Sequence, residues 1–135
     1  MLKTYLLALL AFVVLDFVWL RVMVSRLYLP EIGSIMRASP NWRAAAAFYA
    51  VYAFGMTWLI ILPTAASGFP EHALLGGAVL GLTAYGTYNL TNLATLRAWS
   101  QKMTLIDMAW GVFATAVACW VVTMFVVATA TPVGA

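Results

Sequence analysis

Residues 2–24 read LKTYLLALLAFVVLDFVWLRVMV, and this run decides the fold. It is apolar for more than the roughly 20 helical residues that a bilayer crossing needs. It lacks the apolar–polar alternation of a membrane strand. Three further runs share its character, over residues 44–64, 72–95 and 104–128. In lipid, the backbone must satisfy its own hydrogen bonds, so each run is expected to be a helix. The fold class expected is all-α: an integral membrane four-helix bundle forming a single transmembrane domain over residues 1–135.

Composition agrees. Of 135 residues, 65 % are apolar and 8 % charged, and the mean hydropathy is +0.97. A soluble domain carries about 25 % charged residues. Disordered chains, secreted disulfide scaffolds and soluble nucleic-acid binders are excluded on these grounds. The single cysteine, Cys119, lies in an apolar run and can form no disulfide within the chain. The first run also differs from a cleaved signal peptide. Asp16 interrupts it, and Trp19, Leu20 and Arg21 stand where small cleavage-site residues belong.

Loop charges set an orientation. Arg21, Arg26, Arg37 and Arg43 flank or occupy the connection between spans one and two, and Arg97 and Lys102 that between spans three and four. The other side holds only Lys3. The positive-inside rule then puts both connections in the cytoplasm and both termini outside it. The first connection, with Pro30 at a helical start and Glu31 beside it, predicts a short interfacial helix. Ile32, Ile35 and Met36 would share one face of it. Trp42 follows at an aromatic-belt position.

The informative residues are polar ones within the spans. Asp16 precedes Arg21 by five residues, Asn92 precedes Arg97 by five, and Asp107 follows Lys102 by five. Five helical residues rise roughly 7.5 Å, so three spans place a carboxyl or carboxamide at a similar depth. Trp19 and Trp110 each follow an aspartate by three residues and share its helix face. Tyr85, Tyr88, Asn89 and Asn92 cluster on span three, and span two brings Tyr49 and Tyr52 to comparable depth. Acids inside a membrane are costly and should face the bundle interior, either paired with a nearby Arg or Lys or kept as neutral acids. The candidate ligand-binding set is therefore Asp16, Trp19, Tyr88, Asn89, Asn92, Asp107 and Trp110. On span three, Ala73, Gly77, Gly81, Tyr85 and Asn89 recur every four residues, a stripe suited to close helix contact.

Other chemistries lack their residues. His72 is the only histidine, so a His-rich metal site is not expected. Cys119 has no nearby base, and neither a phosphate-binding glycine loop nor a nucleophile elbow occurs. No catalytic residue and no cofactor is assigned.

The motifs Leu15-Asp16-Phe17-Val18-Trp19-Leu20, Pro40-Asn41-Trp42, Thr87-Tyr88-Asn89-Leu90-Thr91-Asn92-Leu93-Ala94 and Asp107-Met108-Ala109-Trp110-Gly111 resemble those of a family of small bacterial membrane proteins. The family is catalogued as domain of unknown function 2177. The resemblance runs along nearly the whole chain and implies four spans, with no established substrate. Where the family pattern usually has Asp, this chain has Asn89. That departure weakens any mechanism needing three carboxylates.

The expected partners are the lipid bilayer and a small-molecule or lipid-like ligand held in the cytoplasmic half. Three alternatives remain open at this point. One is a dimeric proton-coupled transporter, superficially similar to the small multidrug-resistance transporters. Another is a structural subunit bound to another membrane protein. A third is an intramembrane enzyme with the two carboxyls as acid and base on a lipid headgroup, for which no nucleophile, metal cluster or cofactor fingerprint is present.

Overall fold

Long apolar runs form helices because only a helix hides every backbone polar group within its own segment. The computed structural model describes residues 1–130 of the chain, and the uncharged C-terminal tail falls largely outside them. The described residues are 87 % helical and contain no strand. The helices are α1 (Leu2–Met23), α2 (Leu29–Ile32), α3 (Trp42–Gly55), α4 (Leu62–Ser67), α5 (His72–Thr95) and α6 (Gln101–Thr129). A π-helical turn, Val24–Tyr28, joins α1 to α2, and another, Met56–Ile61, joins α3 to α4. Four continuous helical rods result.

Three rods are long and apolar enough to cross a membrane: Leu2–Ile35, Trp42–Ser67 and Gln101–Thr129. The fourth, α5, has 24 residues. Its Gly, Thr, Tyr and Asn side chains dilute its apolar content, and it falls outside that set. The first rod has 34 residues. At 1.5 Å per residue that is about 51 Å, well beyond the ~30 Å hydrocarbon core. Its last part therefore extends past a single crossing.

Both π-turns have a local cause. Each runs up to a proline, Pro30 or Pro63, in the first turn of the following helix. Proline offers no N–H to the carbonyl four residues back, and its ring crowds that carbonyl. The helix accommodates by widening one turn. The short helix α2 thus follows α1 without a break. Ile32 is buried, whereas Ile35 and Met36 are exposed, so the apolar face expected there is turned inward at one residue only. Gly68, with φ 76°, ends α4 in the left-handed conformation that glycine adopts freely. Side chains cap α3 and α6: Asn41 accepts from the Ala44 N–H at 3.2 Å and Ser100 from the Met103 N–H at 3.1 Å.

α6 is the hub. It packs along α5, α1 and the second rod, while α1 also packs against α3. The core runs down the middle through Phe12, Tyr52, Met56, Ile61, Cys119 and Val122. The α5–α6 seam is the closest. A Cβ on Gly77 would lie 2.8 Å from the Ala116 Cα, and one on Gly81 would lie 2.3 Å from the Gly111 carbonyl oxygen. Only glycine allows backbones this near, as the four-residue stripe on span three suggested.

A smaller core of Leu27, Ile32 and Met103 fixes the first connection onto the start of α6. Beside it, Lys102 Nζ lies 3.2 Å from Glu31 Oε1, and the Ser100 hydroxyl donates to Glu31 Oε2 at 2.5 Å. This end of the molecule, with the connections before α3 and before α6, is called the basic end below.

Candidate functional site

The two aspartates lie on α1 and α6, which run antiparallel, and each is buried: Asp16 is 7 % exposed and Asp107 6 %. Neither meets a cation. Among the described residues the one ion pair is Lys102–Glu31. Lys3 sits over the Phe125 ring and Arg21 over the Phe17 ring. Of the two arrangements the sequence left open, pairing with Arg or Lys is absent among the described residues.

Neutral donors take that place. Asp16 Oδ2 accepts from the Tyr49 hydroxyl at 2.5 Å, and Asp16 Oδ1 from the Trp110 indole N–H at 3.2 Å. Asp107 Oδ1 accepts from the Tyr28 hydroxyl, which itself accepts from the Trp19 indole N–H at 2.8 Å. Asp107 Oδ2 accepts from Asn89 Nδ2 at 2.7 Å. The same Nδ2 donates to the Tyr85 carbonyl at 3.1 Å, which fixes which way the amide points. The pattern is crossed. The tryptophan of each Asp-x-x-Trp pair serves the acid on the other helix, directly in one direction and through Tyr28 in the other. The two indoles stack between them, with centroids 4.4 Å apart and planes 6° from parallel.

The crossing joins the two acids, on antiparallel helices, into one hydrogen-bonded cluster with the stacked indoles.

The cluster brings together Asp16, Trp19, Asn89, Asp107 and Trp110. Tyr88 stands beside it, half exposed, with its ring edge-on to Trp99 at 5.5 Å. Asn92 is outside. It is half-buried, and its side chain joins none of these hydrogen bonds. Asn89 lies on the stripe that faces α6 and is fully buried, and Asn92 is turned off that stripe. Tyr28 was not anticipated. Nine residues separate it from Trp19, which in a straight helix means opposite faces and ~13.5 Å of rise. The π-turn ahead of Pro30 re-aims the rod and brings the two together. The proline was the available signal, as a helix that runs through proline must bend or widen.

A cleft of about 480 Å³ opens beside the cluster, lined by Asp16, Tyr28, Phe48, Tyr85, Tyr88 and Asp107, with Leu20, Ile32, Ala84 and Met103. This volume lies within the ~300–1,000 Å³ of small-molecule sites. The Tyr52 and Tyr85 rings meet edge-on at 6.3 Å and form a crosspiece. One turn nearer the basic end, Phe48 on α3 and Tyr88 on α5 both line the cleft and are 44 % and 55 % exposed, so the cleft reaches the protein surface at these side chains. Asn89 Oδ1 is buried without a partner, and among the described residues the Tyr85 and Tyr88 hydroxyls make no hydrogen bond within the chain.

The arrangement can accept hydrogen bonds at two carboxylates, surround a guest with aromatic rings and admit it where Phe48 and Tyr88 reach the surface. It contains no group of three or more His, Cys, Asp or Glu placed to hold a metal ion among the described residues. Cys119 is buried in the central core, away from the cleft.

No curated protein and no solved structure matches the chain. The family described as "Predicted membrane protein (DUF2177)" matches over residues 1–124. The buried acids, crossed tryptophans and apolar helices described above thus belong to a membrane protein of the DUF2177 family, of which this chain is a member.

Proposed function

We propose that this protein is a four-span, multi-pass protein of the bacterial inner membrane that holds a small-molecule or lipid-like ligand in the cleft between Asp16 and Asp107. The observation that carries the reading is the cleft itself: about 480 Å³ with both buried acids on its wall. Burying two acids costs more than packing returns, since interhelical hydrogen bonds average only about 0.6 kcal/mol. A ligand that uses them accounts for their presence. The unpartnered hydroxyls of Tyr85 and Tyr88 support it further.

On this reading α5 crosses the membrane with the other three rods. Its glycine seam against α6 supports that, because a helix pressed backbone to backbone along a spanning helix lies at the same depth. The basic end faces the cytoplasm by the positive-inside rule, which puts the cleft in the cytoplasmic half.

The test is native mass spectrometry of the protein in lipid nanodiscs, beside Asp107→Asn. The expected result is a stoichiometric adduct on the wild type that the variant loses, with folding intact in both. Absence of any adduct from a clean wild-type spectrum counts against the reading.

A further inference from the structure

Three features of the cleft bear on what it holds. The first is charge. Asp16 and Asp107 are surrounded by donors: two tyrosine hydroxyls, an indole N–H and an amide N–H whose orientation is fixed. Each of these groups can donate to a carboxyl oxygen. Yet no Lys or Arg reaches either acid. A carboxylate has about four acceptor sites, and each here uses two within the chain. Both acids therefore retain acceptor capacity on the cleft wall.

The second feature is the aromatic lining. Tyr28, Phe48, Tyr85 and Tyr88 present four rings to the same space. Ring faces attract cations, and cages of such rings are the usual receptors for quaternary ammonium groups. The third feature is the exposure of two lining residues, Phe48 on α3 and Tyr88 on α5, at the surface that a spanning protein turns to acyl chains. Leu20, Ile32, Ala84 and Met103 add apolar wall within.

We infer that the ligand is an amphiphile with an ammonium head, seated between Asp16, Asp107 and the tyrosine rings, with its acyl chain leaving past Phe48 and Tyr88. This rests on the ligand reading above and names its chemical class. The head supplies the cation that the chain does not. The acyl chain accounts for a cleft that reaches the surface at these two rings. A membrane lipid with an amine head and a soluble amine share the head chemistry, and the length of the tail tells them apart.

The experiment uses the protein in nanodiscs of phosphatidylglycerol, which carries no amine. Radiolabelled dodecyltrimethylammonium is titrated, with uptake by empty nanodiscs subtracted. Saturable binding at one site per chain is expected, displaced by dodecylamine. Dodecanol and dodecyl phosphate should compete at least tenfold more weakly, as should tetramethylammonium. Asp16→Asn and Asp107→Asn should each weaken binding at least tenfold. Tyr88→Leu should weaken it roughly 2- to 30-fold, the range of one cation–π contact. Tyr88 is half exposed and outside the aspartate network, so this variant remains informative if an aspartate variant does not fold.

Equal competition by dodecanol overturns the ammonium head. Equal competition by tetramethylammonium overturns the amphiphile and leaves a soluble amine. Absence of saturable binding, alongside an adduct in native mass spectrometry, refutes the class and spares the cleft as a ligand site. Absence of both refutes the cleft reading itself.

Discussion

Replacing Gly81 with alanine should destabilise the protein, against the usual preference of helices. A Cβ there would lie 2.3 Å from the Gly111 oxygen, 2.9 Å from the Gly111 carbonyl carbon and 2.9 Å from Thr115 Oγ1. Two of these are backbone atoms of α6 and cannot swing aside. Restoring ordinary contact requires the seam to open by about 1 Å, a gap that forfeits up to half the dispersion well between facing atoms. Overpacking costs typically 1–3 kcal/mol, and the backbone contact puts this case near 3 kcal/mol. Alanine returns about 0.5–1 kcal/mol of helix preference. The net loss is about 2 kcal/mol, close to a 30-fold fall in the folded-to-unfolded ratio. Gly55→Ala is the control, because a Cβ there meets nothing within 4 Å. It should gain about 0.5–1 kcal/mol. Reversible unfolding in mixed micelles with increasing dodecyl sulfate, followed by tryptophan emission, measures both. The seam argument fails if Gly81→Ala is as stable as the wild type, or if Gly55→Ala is equally damaging.

Two further outcomes follow from the network and the basic end. Tyr49→Phe removes one of the two donors to Asp16 and should cost about 0.6–1.7 kcal/mol in the same assay, the average and upper end for interhelical hydrogen bonds in a membrane protein; no measurable loss would mean that water or another donor replaces the hydroxyl. Glu31 lies in α2, past the first crossing, and the Ser100 hydroxyl and Lys102 hold its carboxyl below the usual value. A depressed folded-state value stabilises above the ordinary carboxylate value of about 4.3 and is lost as pH falls through the folded value. Glu31→Gln should therefore lose this contribution at neutral pH, a small loss for a partly exposed pair, and converge with the wild type in acid, which flattens the acid limb below about pH 4.3; an acid limb that persists in the variant would assign it to other carboxyls.

Helical character was legible because the apolar runs are long and leave a lipid-facing chain no other economy of hydrogen bonds. The α5 seam was legible too, as small residues every fourth position can only line one stripe. The apolarity of α5 was the harder reading, since the glycines and asparagine that let it pack are the residues that lower its hydropathy. Within the candidate site, Asp16 and Asp107 announced themselves by their cost, and their three-residue spacing to Trp19 and Trp110 gave a shared face. Spacing fixes position on one helix and carries nothing about the stagger between two. The crossed pairing of acids and indoles was accordingly out of reach. Tyr28 was missed for a related reason: a π-turn adds a residue to one turn, so α-helical periodicity read through Val24–Tyr28 points the side chain the wrong way. Asn92 was included on depth alone, and depth does not say which way a side chain faces.

The crossed hydrogen bonds have a consequence for how the protein is made. Trp110 reaches Asp16 across 94 residues of sequence, and Tyr28 reaches Asp107 across 79. Throughout synthesis of α3 and α5, Asp16 has Tyr49 at best, and Tyr28 has no acid to serve. Both satisfactions arrive together when α6 enters the bilayer. A chain halted before that moment leaves Asp16 with at most one of its two donors, so the bundle is completed by its last helix.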